Sequence, residues 1–317
     1  MNEVVMNESP RILLIASSKM KRTPAFERAV ALAKACGAGL YILALDNTKH
    51  LETIELFDDV ALSELRNSYL QTHRLWLEGQ AEKERTKGLD CSVQVFSSEH
   101  FFEEFSERVA ACHPVMVIKD VHHEPVLKRL FSTPLDWHLL RDCVCPIQFV
   151  TDARNPLPLK ILAAVNLYRT DDADLRLNDS LLMAAVNLAQ RCGAKVHVLY
   201  SYDWSAIYAS HLTMMGAMPI ETGFPEALAD AHEEALNALC ERHGVSPQRR
   251  HFVSGTPEPT INAFARQNLF DLMVMGTLPR RYVGKLFGNT TESLLTHSPC
   301  SVMVVKPDNS MSNYSSF

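Results

Sequence analysis

No stretch of the chain reaches the ~18 consecutive apolar residues that a bilayer-spanning helix needs. Met1 to Pro10 carry Glu3 and Glu8 where a secretory leader would have a basic region followed by an apolar run. These absences predict a cytoplasmic protein with no membrane partner. Positive charge is also in deficit, with 31 Lys and Arg against 37 Asp and Glu and a formal net charge of −6. Without a broad positive field to attract phosphate backbones, nucleic acid is not an expected partner. The chain contains no Gly-x-Ser-x-Gly elbow, Walker loop, Gly-x-Gly-x-x-Gly or His-Glu-x-x-His, so the enzyme classes that depend on them lose support. The eight cysteines fit no paired zinc-ligand spacing. The tightest group is Cys143-Val144-Cys145, with His113, His122, His123 and His138 upstream, and no metal is expected there. Cys36, Cys112, Cys192, Cys240 and Cys300 lie in or beside apolar helix or strand patterns and read as buried reduced thiols.

What is present is the composition of an ordinary globular protein, 47% hydrophobic and 21% charged. At roughly 100–200 residues per domain, 317 residues favour two domains. An internal repeat supports this: Leu32-Ala33-Lys34-Ala35-Cys36-Gly37-Ala38 returns as Leu188-Ala189-Gln190-Arg191-Cys192-Gly193-Ala194, offset by 156 residues. In each copy a helix ends at a glycine suited to a left-handed cap, and an apolar strand comes next, Leu40 to Leu45 and Val196 to Tyr200. Arg11 to Ala16 pairs with Lys160 to Val165, Val115 to Ile118 with Leu272 to Met275, and Pro146 to Val150 with Ser301 to Val305. The expected domains are 1–152 and 153–317, joined by a linker over Thr151 to Leu159 with Pro156 and Pro158.

Within the first half, short apolar runs at 11–17, 40–46, 92–97, 114–119 and 146–150 alternate with helical periodicity near 24–36, 60–86, 101–112 and 134–142. The second half repeats the order from Lys160 to Lys306. Such alternation predicts an α/β fold of two tandem, doubly wound, mainly parallel five-stranded sheets. Ligands of such sheets bind at the carboxyl ends of the strands, where the strand order reverses. The segments leaving the first and fourth strands of each half are therefore the places to look for a site.

After the fourth strand of the second half comes Gly276-Thr277-Leu278-Pro279-Arg280-Arg281-Tyr282-Val283-Gly284-Lys285-Leu286-Phe287-Gly288-Asn289-Thr290-Thr291-Glu292. Gly276 leaves room for a ligand to approach the backbone, and Gly288-Asn289-Thr290 opens a helix whose N–H groups attract anions. Asn289 and Glu292 form a capping-box-like pair, so capping and anion contact both remain open for this turn. Arg280, Arg281 and Lys285 supply charge nearby, as a solvated loop also would.

The segment resembles the G-x2-G-x9-G-[ST] signature of ATP-binding universal stress proteins. Ser132-Thr133-Pro134-Leu135-Asp136-Trp137-His138-Leu139-Leu140-Arg141 resembles the corresponding segment of the tandem, UspE-like members. The resemblance implies a stress-response protein that binds a small ligand, ATP or another adenine nucleotide, through Asn166, Gly276, Thr277, Arg280, Arg281, Gly288, Asn289 and Thr290. Pro279 stands where the signature has its second glycine, the loop is one residue short, Asn289 replaces Ser or Thr, and Asn166 replaces the usual Asp.

The matching first-half loop, Lys119 to Pro134, has no glycine and offers no comparable cradle. Ser132-Thr133-Pro134 suits a helix start, and Trp137 and His138 read as core and surface residues of that helix. A long loop from Ser205 to Pro225, with Met214, Met215 and Met218, either covers a sheet edge or lids an apolar pocket. Three readings stay open: a small-ligand binding protein whose halves form an internal pseudo-dimer, or a homodimer; an interaction module with an apolar cleft; and a weak ATPase.

Overall fold

The computed structural model describes residues 10–45, 59–96, 101–121, 136, 139–141, 143, 145–151, 155–168, 172–205, 223–277 and 298–307. The chain divides into two compact units, and its path passes from one to the other between Leu157 and Pro158.

The first unit contains β1 (Arg11–Ala16), α1 (Pro24–Cys36), β2 (Gly39–Leu45), α2 (Asp59–Arg85), β3 (Cys91–Phe96), α3 (Phe101–Cys112), β4 (Met116–Asp120) and β5 (Ile147–Val150). Its strands run in the order β3-β2-β1-β4-β5, and every pair is parallel. The second unit contains β6 (Lys160–Val165), α4 (Asp172–Cys192), β7 (Lys195–Tyr202), α5 (Phe224–Arg242), β8 (Arg250–Ser254), α6 (Pro257–Gln267), β9 (Leu272–Gly276) and β10 (Ser301–Val305). Its order is β10-β9-β6-β7-β8, again all parallel. The predicted α/β class and parallel pairing are what the structure has.

The local chemistry explains the elements. Thr23 caps α1 by accepting a hydrogen bond from the Phe26 N–H, and Pro24 takes the first position, where a missing N–H costs nothing. The repeated glycine ends both helices with one geometry: Gly37 and Gly193 have φ of 64° and 67°. The Ala38 N–H reaches Ala33 O at 2.8 Å, and the Ala194 N–H reaches Ala189 O at 2.9 Å. These bonds satisfy carbonyls that the last helical turn leaves open.

Strands β1, β4, β9 and β10 are buried along nearly their whole length, which is why they read as continuous apolar runs rather than alternating ones. Two local expectations change. The strand read as Val196 to Tyr200 continues to Tyr202. Cys36, Cys112 and Cys192 are half-buried rather than buried, because each is the last residue of its helix. The Met-rich residues 206–222 and the pair Trp137 and His138 lie outside the described residues.

Candidate functional site at the strand ends of the second unit

In the second unit β7 lies on one side of β6 and β9 on the other, so strand order reverses between β6 and β9. Ala164 of β6 pairs with Met275 of β9, and Asn166 and Thr277 each come two residues later. The two residues therefore leave adjacent strands at the crevice where α/β sheets bind ligands.

Asn166 is exposed, and its surroundings are ordered by hydrogen bonds. Its N–H donates to Asn178 Oδ1 at 3.1 Å, and its carbonyl accepts from Asn178 Nδ2 at 2.8 Å. The Asn166 side-chain oxygen accepts from the Tyr168 N–H at 3.1 Å, closing a local turn. Asn178 sits buried on α4 and fastens the chain leaving β6 to that helix. Sequence reasoning passed over Asn178; the signal was a polar residue inside the apolar stripe of α4.

Thr277 differs. Its N–H donates to Val305 O at 2.9 Å, but among the described residues its side-chain oxygen has no hydrogen-bond partner although the residue is only 3% exposed. A buried hydroxyl left unsatisfied costs about 1–3 kcal/mol.

Gly276 has an evident packing role. A Cβ at this position would lie 2.6 Å from both Cγ and Cδ2 of Leu177 on α4, so the glycine makes room for the helix. The remaining expected site residues, Arg280, Arg281, Gly288, Asn289 and Thr290, lie outside the described residues.

The first unit fills the corresponding place differently. Pairing of Ile12 with Met116, matched to Ile161 with Leu272, puts Asp120 in register with Gly276. Asp120 Oδ1 accepts the Ala25 N–H at 3.0 Å, so a carboxylate of the chain itself occupies the positive end of α1. Lys119 Nζ donates to Asp120 O at 3.2 Å and pairs with Asp136 Oδ1 at 2.9 Å. In the second unit α4 begins about two turns earlier relative to the repeat, and Leu177 of this extension stands beside Gly276.

Residues 164–306 match the family model described as the universal stress protein family, so the strand-end crevice lies within a recognised domain. Along 94% of its length the chain is also 27% identical to universal stress protein E of Escherichia coli strain K12, covering 94% of that protein. The second unit matches the universal stress protein family, and the chain as a whole is similar to universal stress protein E. Universal stress protein E of Photorhabdus laumondii is 25% identical over 94% of this chain and 95% of its own length. Two solved structures share the fold: a protein of unknown function from Pseudomonas aeruginosa PAO1 and a universal stress protein from Archaeoglobus fulgidus. The first has a TM-score of 0.69 at 23% identity, covering 96% of this chain and 95% of its own. The second has a TM-score of 0.62 at 17% identity, covering 95% of this chain and 100% of its own.

A pair of titratable side chains in the second unit lies toward the opposite ends of the strands. His197 of β7 and His251 of β8 stack at 5.3 Å, with Nδ1 and Nε2 3.0 Å apart. Phe264 and Phe270 pack against them. Burial, then His251, Lys160, Arg249 and Lys195 hold His197 down at about 4; burial and Lys160 also lower His251. Folding thus favours the neutral rings. The stability they contribute is present above the ordinary histidine value near 6.5 and is lost as pH falls toward 4. After discounting for partial exposure, a loss of about 1–2 kcal/mol is expected over that interval. Urea titrations of wild type and His197→Gln at pH 7 and pH 4.5 check this; an equal acid loss in both would contradict it.

No helix among the described residues is long and apolar enough to cross a membrane.

Proposed function

We propose that this cytoplasmic stress-response protein binds a small anionic ligand, ATP or another adenine nucleotide, in its second unit and carries out no committed catalysis. The observation that carries the reading is the buried Thr277 hydroxyl at the β6–β9 reversal, which has no partner among the described residues. A ligand oxygen there would supply the bond it lacks. Asn166 borders the same crevice on a chain held by Asn178. Gly276, Arg280, Arg281, Gly288, Asn289 and Thr290 complete the proposed site, with the glycine turn and basic loop meeting the phosphates. Neither Asn166 nor Thr277 ionises near neutrality, so the crevice gains no general base from them. In the first unit Asp120 already occupies the equivalent helix end, which supports placing the ligand in the second unit alone.

Calorimetric titration of the whole chain with ATP and AMP tests this. Wild type should bind at about 1 mM or tighter, and Thr277→Val, which keeps the shape and removes the hydroxyl, should weaken binding roughly tenfold. Asp120→Asn should leave the affinity unchanged. Absence of binding by any nucleotide would overturn the reading. An interaction module would then take its place, favoured by Tyr168 and Leu175, which are exposed on the segment after β6 and on the first turns of α4.

A further inference from the structure

Cys143 and Cys145 precede β5 in the first unit, and neither belongs to the proposed ligand site. Their Sγ atoms are 3.3 Å apart, closer than ordinary contact between two sulfurs and about 1.3 Å beyond a disulfide bond. The backbone on either side is anchored: the Cys143 N–H donates to Leu139 O at 3.0 Å, and Pro146 O accepts from the Val117 N–H at 2.9 Å. The two sulfurs are therefore held facing each other by a helix end on one side and a sheet bond on the other, and little chain freedom remains to be lost on joining them. Their exposures differ, Cys143 being buried and Cys145 half-buried. Other thiols are poorer candidates: burial pushes Cys91 and Cys240 up to about 11, which leaves little thiolate at neutral pH.

We propose that Cys143 and Cys145 form a peroxide-oxidised dithiol site that closes to an intrachain disulfide. In the first step the Cys145 thiolate attacks one oxygen of hydrogen peroxide; the O–O bond breaks and the departing hydroxide takes up the thiol proton as water. Cys145 becomes a sulfenic acid. Cys143 sulfur then attacks Cys145 Sγ, the S–O bond breaks, and the hydroxide released takes the Cys143 proton as a second water. The peroxide is reduced to two waters, and the pair of thiols is oxidised by two electrons. A dithiol reductant reverses the change.

The test is peroxide treatment of the full chain at neutral pH, then thiol-blocked, non-reducing digestion and mass spectrometry. The peptide holding both cysteines should lose two hydrogens and regain them with dithiothreitol. Cys143→Ser should halt oxidation at a Cys145 sulfenic acid trapped by dimedone, and Cys145→Ser should abolish the two-hydrogen loss. The wild-type measurement needs no variant to fold. Accumulation of Cys145 sulfinic acid without the disulfide, pairing of either cysteine with a different one, or an unmodified peptide would each overturn the proposal. None of these outcomes depends on whether nucleotide binds.

Discussion

Glu84→Gln is expected to destabilise the first unit by roughly 2–3 kcal/mol at neutral pH, and the difference from wild type should vanish as the pH approaches 2. Glu84 lies at the end of α2 with its side chain only 1% exposed, and three cations converge on it. Lys34 Nζ lies 2.7 Å from one carboxylate oxygen, while Lys87 Nζ at 3.0 Å and an Arg22 guanidinium nitrogen at 3.1 Å share the other. Burial alone would raise the carboxyl, but the hydrogen bonds from Lys34, Lys87 and Arg22 outweigh it and hold Glu84 at about 2.

A carboxylate depressed by folding contributes stability that is complete above its unfolded value near 4.5 and is lost as pH falls through 2. The glutamine variant keeps the volume and loses the charge, leaving a buried amide among cations. Lys34 and Lys87 are 41% and 59% exposed, so the upper end of the range is an overestimate at high salt. Thermal melts should show a drop of roughly 5–10 °C at pH 7. Equal melting temperatures at pH 7 would contradict the account. This acid window lies below that of His197, so the two are separable in one pH series.

Gly276→Ala is expected to cost about 1–3 kcal/mol through overpacking. The residue does not have a positive φ, so alanine meets no backbone strain, and the effect comes from the 2.6 Å approach of the new Cβ to Leu177. Leu177 is itself buried at 9% exposure and cannot swing freely into solvent. Leu177→Ala alone should also destabilise, by removing buried methyl groups. The two changes together should cost less than their sum by about 1 kcal/mol or more, since the added methyl then enters space already vacated. A strictly additive double mutant would show that Leu177 is not what requires the glycine. Ligand titration of Leu177→Ala, which leaves every residue of the proposed site unchanged, separates packing from binding.

Much of the fold was legible because it rests on local rules. Gly37 and Gly193 announce left-handed caps since no other residue adopts that conformation as cheaply, and the caps are there. The aliphatic runs at Ile12, Ile161 and Leu272 announce strands covered on both faces, because a one-sided strand would alternate with polar residues. The candidate site was less legible. Gly276 reads as room for a ligand in the sequence, yet Leu177, 99 residues earlier, lies beside it. Asn178 drew no attention, since its bonds to Asn166 depend on how α4 is rotated against β6. Cys143 and Cys145 read only as a close pair whose spacing fits no metal site; their facing sulfurs became evident only with the helix end and β5 in position.

By itself, then, the sequence determined the alternation of strands and helices, the duplication and the family resemblance, since period, capping and repeat are properties of neighbours along the chain. Tertiary structure decided which residues face the β6–β9 reversal, why Asp120 stands in one unit where Gly276 stands in the other, and that Thr277 is buried with no partner among the described residues. Those facts depend on the angle and register at which distant segments pack, and packing joins atoms that share no local pattern.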